Sequence, residues 1–311
     1  MNRIAAIDIG TNTVLLLVAE QSPNGALQAV EEHATITRLG QGVDRTRALH
    51  HEAIARTTAC LDAYGAIVKR LGVSRIEVVG TSAMRDARGS EVIQEHIRNV
   101  FGVDLRVIGG DEEAELTFSG ALVGLPGAEA GRELFVFDIG GGSTEVVRGT
   151  IDHSVSYKKS FDVGSVRLTE RHVRSDPPSA GELDTIRREL RATFAELPPL
   201  PPGALPIGIA GTMTTLTAVS LKMAAYDGAR VHGAHLATSE LRRVVEHLAS
   251  LPLASRREVL GLEPKRADVI VAGGLIALAL LEHWNAESAV ISDRGVRWGL
   301  AVALSRSAAT L

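Results

Sequence analysis

The sequence predicts an α/β protein made of two copies of one domain, and three observations support that fold class. An apolar run from Ile4 ends in Asp8, followed by a glycine, small hydroxyl residues and a second apolar run. The same pattern returns at 135–147, where Asp138 precedes three consecutive glycines. Each of these hairpins then opens a similar succession of strand and helix patterns, in the order β-β-β-α-β-α-β. The repeat of a whole succession indicates domain duplication.

Length and composition are those of an ordinary globular protein. A chain of 311 residues can bury a substantial core and is expected to form two domains. The formal net charge of −4, with no long basic run, argues against a nucleic-acid binder. The single cysteine, Cys60, excludes an internal disulfide and a cysteine-based metal cluster. No signal peptide or membrane span is visible, so we expect a cytoplasmic protein with no membrane partner.

The elements of the first half follow from hydrophobic periodicity and capping residues. Strands are predicted at 3–8, 13–19, 27–36, 76–79 and 105–108. Helices are predicted at 50–71, at 90–101 and from Glu112 to about Val123, with Asp111 as the N-cap of the last. Pro126 and Gly127 then mark a boundary between the halves.

The second half repeats this plan with additional helices. Strands are predicted at 134–138, 144–150, about 151–160, 206–210 and 289–292. Helices are predicted at 165–172, 238–249, 255–260 and 266–283. Another helix is predicted to begin at a capping box of Ser179 and Glu182 and to end at about Leu197. Two more are predicted to begin at Gly211 and at Arg294.

The two glycine-containing hairpins carry the strongest functional signal. Glycine permits positive φ and lets backbone amides approach a ligand closely, so such a loop can offer several N–H donors to phosphate. Asp138 and Glu145 stand at the two ends of the second hairpin loop, and carboxylates beside phosphates usually hold Mg2+. A plain glycine hairpin between buried strands is the alternative interpretation. The second copy of the motif argues against it and favours phosphate bound between the two halves.

Glu112 and Glu113 open a helix at the junction of the two halves. Acidic residues in a first turn usually only stabilise the helix dipole. A cleft between duplicated halves would open here, and hydrolysis of a phosphoanhydride needs a carboxylate that orients and deprotonates water. A glutamate at this junction is therefore a candidate general base.

Further groups could bind anions. A strand runs into a helix through Gly211 and Thr212, and exposed amides at a helix start favour phosphate. Several arginines near glycine turns are candidates for an anion channel, although a single surface arginine is usually only solvated. They are Arg85, Arg167, Arg230 and Arg266.

Eight sequence blocks occur in an order that resembles one known family. They are Asp8–Thr13, Thr81–Ala87, Glu112–Ala114, Asp138–Glu145, Gly164–Glu170, Arg230–Gly233, Arg266–Ile270 and Asp293–Arg297. Together they resemble the exopolyphosphatase/guanosine pentaphosphate phosphohydrolase (Ppx/GppA) family over essentially the whole chain. The resemblance implies an actin/Hsp70/hexokinase-like (ribonuclease H-like) fold with the site in an interdomain cleft. It places the first domain at 1–125 plus 296–311 and the second at 126–295.

The resemblance also implies roles for the candidate residues. Glu113 would be the catalytic base, with Glu145 as a second catalytic candidate. Asp138 and Glu145 would hold the metal ion. The phosphate-binding set is Asp8, Gly10, Thr11, Asn12, Gly140, Gly141, Gly142, Ser143, Thr144, Gly211 and Thr212.

The expected function is that of an exopolyphosphatase, which uses Mg2+ or another divalent cation to remove terminal phosphate from inorganic polyphosphate. The sequence leaves open whether a monovalent cation binds as a second ion and whether the protein forms a homodimer. Hydrolysis of guanosine pentaphosphate is the nearest alternative. A kinase of the same fold and a non-catalytic sensor of polyphosphate or guanosine tetraphosphate are more distant ones, disfavoured by the junction glutamate and the intact carboxylates.

Overall fold

The computed structural model describes residues 3–22, 25–126, 129, 131–152 and 154–307. The chain divides into two compact units, Met1–Gly120 with Val296–Leu311 and Ala121–Gly295. Gly127, at the predicted boundary, and residues 308–311 of the predicted first domain lie outside the described residues.

The first unit contains one mixed sheet of five strands in the order β3-β2-β1-β4-β5. The strands are β1 (Arg3–Ile9), β2 (Thr13–Gln21), β3 (Leu27–Ile36), β4 (Arg75–Gly80) and β5 (Leu105–Val107). The helices are α1 (Val43–Thr46), α2 (His51–Arg70), α3 (Ser82–Asp86), α4 (Glu91–Phe101) and α5 (Gly110–Ala121). Because β1, β4 and β5 run parallel, their carboxyl ends lie at one edge of the sheet.

The core of the first unit explains these assignments. Residues 4–9 of β1 are all buried, as expected for a central strand covered on both faces. Helix α2 buries one stripe at helical spacing, which includes Ala53, Leu61 and Val68, and exposes its charged face. The stripe packs against β2 and α4, and its residues Leu61 and Val68 belong to the core of the first unit.

The second unit contains a mixed sheet of six strands in the order β10-β11-β9-β6-β7-β8. The strands are β6 (Leu134–Ile139), β7 (Thr144–Gly149), β8 (Val155–Phe161), β9 (Leu205–Ile209), β10 (His235–Ala237) and β11 (Ser288–Ile291). The helices are α6 (Ser165–His172), α7 (Ala180–Thr193), α8 (Ala210–Ser220), α9 (Gly228–Val231), α10 (Thr238–Ser250), α11 (Leu253–Arg256) and α12 (Ile270–His283). The chain continues into α13 (Val296–Ser307), which packs on β1 and β2 of the first unit.

The topology confirms the predicted α/β class and the duplication. The order β8-β7-β6-β9-β11 repeats the order β3-β2-β1-β4-β5, and the second unit adds β10 antiparallel to β11. Helix α12 is apolar on almost all sides because α6, α7, α8 and α10 pack around it. Among the described residues, no helix has the length and apolar character needed to cross a membrane.

Several predicted boundaries are wrong. Helix α5 begins at Gly110, so Asp111 lies inside the first turn and is not the N-cap. The helix predicted at 255–260 is the shorter α11, and the helix predicted from 266 begins at Ile270 after a 3-10 turn at Pro264–Arg266. The sequence did not predict α1, α3, α9 or β10, whose three to five residues are too few for a periodic signal. The capping box of Ser179 and Glu182 is confirmed.

Candidate active site

The candidate residues of the first unit lie beyond the carboxyl ends of β1, β4 and β5. The first loop, Gly10–Thr13, follows β1, and the segment from Thr81 into α3 follows β4. The amide of Thr81 donates to Ile9 O over 3.1 Å, and the amide of Ile108 donates to Gly80 O over 3.0 Å. These bonds hold the three strand ends side by side, where open α/β sheets usually bind ligands.

The first loop is fixed by backbone bonds on one side. Gly10 N donates to Thr13 O over 3.0 Å, which closes the hairpin. The carbonyl oxygens of Thr11 and Asn12 accept from amides of the segment 37–40. Asp8, Thr11 and Asn12 are all buried, and Asn12 Nδ2 has no hydrogen-bond partner among the described residues. A buried amide donor without a partner is costly unless a ligand completes its bonding.

Glu112 and Glu113 have different surroundings. The side chain of Glu112 is 45% exposed and pairs with Arg106 at the surface. Glu113 is only 7% exposed, and its Oε2 accepts from Arg85 Nη1 over 3.2 Å. Arg85 Nη1 also donates to Ile108 O over 2.9 Å, so the backbone beyond β5 fixes the guanidinium beside the carboxylate. Of the two glutamates, Glu113 has the buried and oriented carboxylate that a general base needs.

The second loop, Gly140–Ser143, repeats the hairpin of the first. Gly140 N donates to Ser143 O over 3.0 Å, the same bond and the same distance as in the first loop. Neither Gly10 nor Gly140 has a positive φ, so a left-handed conformation is not the reason for glycine at these two positions. A Cβ on Gly140 would lie 3.2 Å from Ser143 O, so the tight hairpin itself favours glycine there.

Helix α6 begins directly against the second loop. Ser165 N donates to Gly140 O over 2.9 Å, and the amides of Val166 and Arg167 donate to Gly141 O. A Cβ on Gly164 would lie 2.4 Å from Gly141 O, so glycine is required at this approach. The first turn of α6 therefore binds the carbonyl oxygens of the loop.

Asp138 and Glu145 form a carboxylate pair at the base of the second loop. They are directly opposite in the antiparallel register of β6 and β7, and paired residues project from the same face of a sheet. Both are buried, at 9% and 1% exposure, and Ser160 Oγ donates to Glu145 Oε1 over 2.7 Å. A bound cation would stabilise two buried carboxylates that project from one face of a sheet.

The donor set fits Mg2+ better than a transition metal. Among the described residues, no group of three or more His, Cys, Asp or Glu side chains could hold a metal ion. Mg2+ is commonly held by one or two carboxylates together with substrate phosphates and water, whereas zinc needs three or four nitrogen and sulfur ligands. Asp138 and Glu145 match the first pattern.

The third candidate loop lies next to the second. Thr212 Oγ1 donates to Ile139 O over 2.9 Å, which ties the start of α8 to the end of β6. A Cβ on Gly211 would lie 2.3–2.4 Å from the guanidinium of Arg266, so this group lies against the first turn of α8. Burial lowers the pKa of Arg266 from its ordinary value, a cost that a bound anion would offset.

The four arginines predicted as an anion channel have different environments. Arg85 contacts Glu113, Arg167 contacts the second loop, and Arg266 lies at α8. Arg230 is exposed on α9. A cavity of about 510 Å3 lies between α7, α10 and α12 and is lined by none of the predicted site residues.

Sequence reasoning missed three residues that support these loops. Gly40 lies against Thr11, Thr37 N bonds Asn12 O, and Ser160 bonds Glu145. Gly40 stands between Leu39 and Gln41 in a stretch whose composition indicates only a loop, and Ser160 is an ordinary polar strand residue. Their partners are distant in sequence, so only the sheet register could have identified them.

Comparisons with known proteins extend over nearly the whole chain. The model of the Ppx/GppA phosphatase family matches residues 17–308. "Exopolyphosphatase 2" of Mycobacterium tuberculosis is 38% identical over 98% of this chain and 99% of its own length. "Guanosine-5'-triphosphate,3'-diphosphate pyrophosphatase" of Vibrio atlanticus is 28% identical over 96% of this chain and 58% of its own length.

Solved structures agree with the sequence comparisons. A crystal structure described as an exopolyphosphatase-like protein matches with a TM-score of 0.93 and 29% identity, over 99% of both chains. The Aquifex aeolicus member of the Ppx/GppA family matches with a TM-score of 0.83 and 30% identity, over 99% of this chain and 98% of that one.

Proposed function

The chain belongs to the Ppx/GppA phosphatase family, and on that premise we propose that it is an exopolyphosphatase that hydrolyses terminal phosphate from inorganic polyphosphate with Mg2+. The observation that carries the substrate is the similarity to a named exopolyphosphatase over the full length of both chains. The chemistry rests on the buried Glu113 beside Arg85 and on two hairpin loops of one geometry. A cytoplasmic location and a homodimer belong to the same proposal.

Glu113 acts as the general base in this proposal. Its carboxylate takes a proton from water as the water attacks the terminal phosphorus, and the anhydride oxygen leaves with the shortened chain. Arg85 holds the carboxylate in place through its 3.2 Å hydrogen bond to Oε2. Glu145 is the second candidate for the proton acceptor.

Each of the two loops carries groups that bind phosphate in this proposal. Asp8, Thr11 and Asn12 contribute from the first loop, and the backbone amides of the second loop donate to phosphoryl oxygens. Gly211 and Thr212 add the first turn of α8. A divalent cation held by Asp138 and Glu145 would neutralise charge on the phosphates.

Guanosine pentaphosphate is the second candidate substrate, because the Vibrio atlanticus relative is named for a guanosine polyphosphate. A panel of short and long polyphosphates, guanosine pentaphosphate and ATP, assayed for released phosphate, separates these alternatives. Phosphate release from polyphosphate supports the proposal. Release from guanosine pentaphosphate alone would replace it with the second candidate, and transfer from ATP to an acceptor would indicate a kinase.

Glu113→Gln is the direct test of the base. The amide keeps the size of the side chain but cannot take a proton, so turnover should fall by about 10²–10⁴-fold. Polyphosphate affinity should stay equal or rise slightly, because a negative charge next to Arg85 is lost. Turnover, affinity and melting temperature are measured together.

Glu112→Gln is the matched control. Its surface pair with Arg106 contributes little to the stability of the protein, so turnover should change by less than about twofold. A folded Glu113→Gln enzyme that keeps more than about a tenth of the wild-type rate would exclude the base role and redirect the search to Glu145.

A further inference from the structure

We propose that Arg167 is a positioning residue that orients the amides of the second loop, and not a lining residue of an anion channel. The inference rests on the proposed function, in which that loop binds phosphate. It replaces the sequence-based expectation for Arg167 with a role that the contacts of the side chain define.

The contacts of Arg167 are directed at the loop. Its side chain is buried, with 7% exposure, and Nε donates to Gly142 O over 2.7 Å. Its backbone amide donates to Gly141 O over 3.1 Å. Nη2 also lies 3.8 Å from Asp162 Oδ1, but Asp162 is 85% exposed, so water screens that pair.

These bonds determine where the loop amides point. In a trans peptide the carbonyl of one residue and the N–H of the next point in opposite directions. Ser165 holds the Gly140 carbonyl towards α6, the backbone of α6 holds that of Gly141, and Arg167 holds that of Gly142. The N–H groups of Gly141, Gly142 and Ser143 must therefore point away from α6, as one row of donors.

Arg167 has a particular place in this arrangement. The Gly140 and Gly141 carbonyls accept from backbone amides of α6, which any sequence would supply once the helix has formed, and Ser165 Oγ adds a second bond to Gly140 O over 3.2 Å. The Gly142 carbonyl is held by a side chain, so the direction of the Ser143 amide depends on residue 167. A bond from a guanidinium is stronger than one between neutral groups, and lysine cannot reproduce the planar geometry of Nε.

The positioning role and the channel role predict different effects. A channel residue attracts substrate through its charge, so its loss should affect long polyphosphates most and lysine should restore function. A positioning residue acts on the terminal phosphoryl group, so its loss should lower kcat equally for every chain length and lysine should restore little.

The test compares Arg167→Gln and Arg167→Lys with Arg171→Gln in the full-length protein. Arg171 lies one turn further along α6 and pairs with Glu189, so it controls for loss of one charge on the same helix. Hydrogen exchange is measured without substrate for the bonded amides that hold the second loop in place, those of Gly140, Ser165 and Val166. Turnover is then measured with polyphosphates of several lengths.

We expect faster exchange of these bonded amides in both Arg167 variants and no change in Arg171→Gln. We expect kcat to fall by about ten- to a hundredfold at every chain length, the equivalent of one hydrogen bond to a charged group. The KM for long and short chains should shift by the same factor. Unchanged loop exchange would overturn the proposal, and so would a loss confined to long chains that lysine restores.

The exchange measurement separates this inference from the proposed function. If the wild-type protein hydrolyses no polyphosphate but Arg167→Gln still increases exchange in the loop, the positioning contact stands and the substrate assignment fails. If polyphosphate is hydrolysed but substitution of Arg167 changes neither exchange nor kcat, the substrate assignment stands and the positioning role fails.

Discussion

The first and second loops share one backbone geometry but present different chemistry. Both close with a bond of 3.0 Å from the glycine amide to the carbonyl three residues later, and both follow an aspartate of a central strand. At the next two positions the first loop has Thr11 and Asn12, whereas the second has Gly141 and Gly142. The first loop therefore offers side-chain donors, and the second offers bare backbone.

The residue opposite each aspartate differs as well. The cross-strand partner of Asp8 is Leu15, whereas the partner of Asp138 is Glu145. Of the two hairpins, only the second therefore pairs two carboxylates across the strands. The two copies share the fold of the loop, and the pair proposed to hold the metal ion belongs to one of them. The comparison predicts that equivalent substitutions in the two loops will have unequal effects.

Gly141→Val and Thr11→Val make the largest contrast. A β-branched side chain at Gly141 would block approach to the loop amides, so activity should fall by at least about 10²–10³-fold, as when an oxyanion donor is lost. Thr11→Val keeps the branched shape and removes one hydroxyl donor, so it should cost only the value of one hydrogen bond, about three- to tenfold. Phosphate release and melting temperature are the measurements, and near wild-type activity of Gly141→Val would exclude the second loop as a phosphate site.

Asp138→Asn and Asp8→Asn separate the metal from the phosphate. Asp138→Asn removes one of two paired carboxylates, so the Mg2+ concentration for half-maximal activity should rise by about tenfold or more. Asp8→Asn should lower activity without this shift, because Leu15 offers no second ligand. An identical Mg2+ titration for Asp138→Asn and wild type would show that Asp138 does not hold the cation.

Gly164→Ala and Gly40→Ala test the supports behind the loops. A Cβ on Gly164 would lie 2.4 Å from the backbone carbonyl oxygen of Gly141, and backbone cannot move away cheaply. A Cβ on Gly40 would lie 2.3 Å from Cγ2 of Thr11 but no closer than 3.3 Å to the backbone oxygen of Thr11, so the severe contact is with a methyl group and not with backbone. We expect Gly164→Ala to lower the free energy of unfolding by about 1–3 kcal/mol and Gly40→Ala by less than about 1 kcal/mol. Denaturant unfolding of both variants measures the difference, and equal losses would contradict the explanation.

The sequence predicted the repeated hairpins because each one is a local pattern. An apolar run, an aspartate, a glycine and a second apolar run lie within a few residues, so the register of β1 with β2 and of β6 with β7 follows from the chain itself. The capping box before α7 was equally local. These elements confirm the predicted fold class and the duplication.

The contacts of the site could not be predicted in the same way. Arg167 binds a carbonyl 25 residues away, and Arg85 reaches a carboxylate 28 residues away. Both were expected to line a channel, because arginines near glycine turns carry no local sign of their partner. The two glutamates of α5 show the same limit, since only the fold reveals that Glu112 is at the surface and Glu113 is buried.

Asn12 provides the smallest expected effect and the finest test of the comparison. Its Nδ2 is buried and has no hydrogen-bond partner within the part of the chain that the structure describes. If this donor binds a phosphoryl oxygen, Asn12→Ala should weaken polyphosphate binding by about three- to tenfold, the value of one hydrogen bond. Without ligand, the Asn12→Ala variant should lose less stability than truncation of a hydrogen-bonded polar residue would cost. The reason is that a buried donor without a partner already destabilises the wild-type protein.

Thr37→Val is the matched control for that variant. Thr37 Oγ1 is also a buried polar atom beside the first loop without a partner among the described residues, and the Thr37 amide bonds Asn12 O. Because valine keeps the shape and the backbone bond, Thr37→Val should leave affinity unchanged. Calorimetric titration with a short polyphosphate, together with melting temperature, measures both variants. A loss of stability without loss of affinity in Asn12→Ala would make Asn12 a structural residue, and side-chain recognition by the first loop would then have to depend on Thr11 and Asp8.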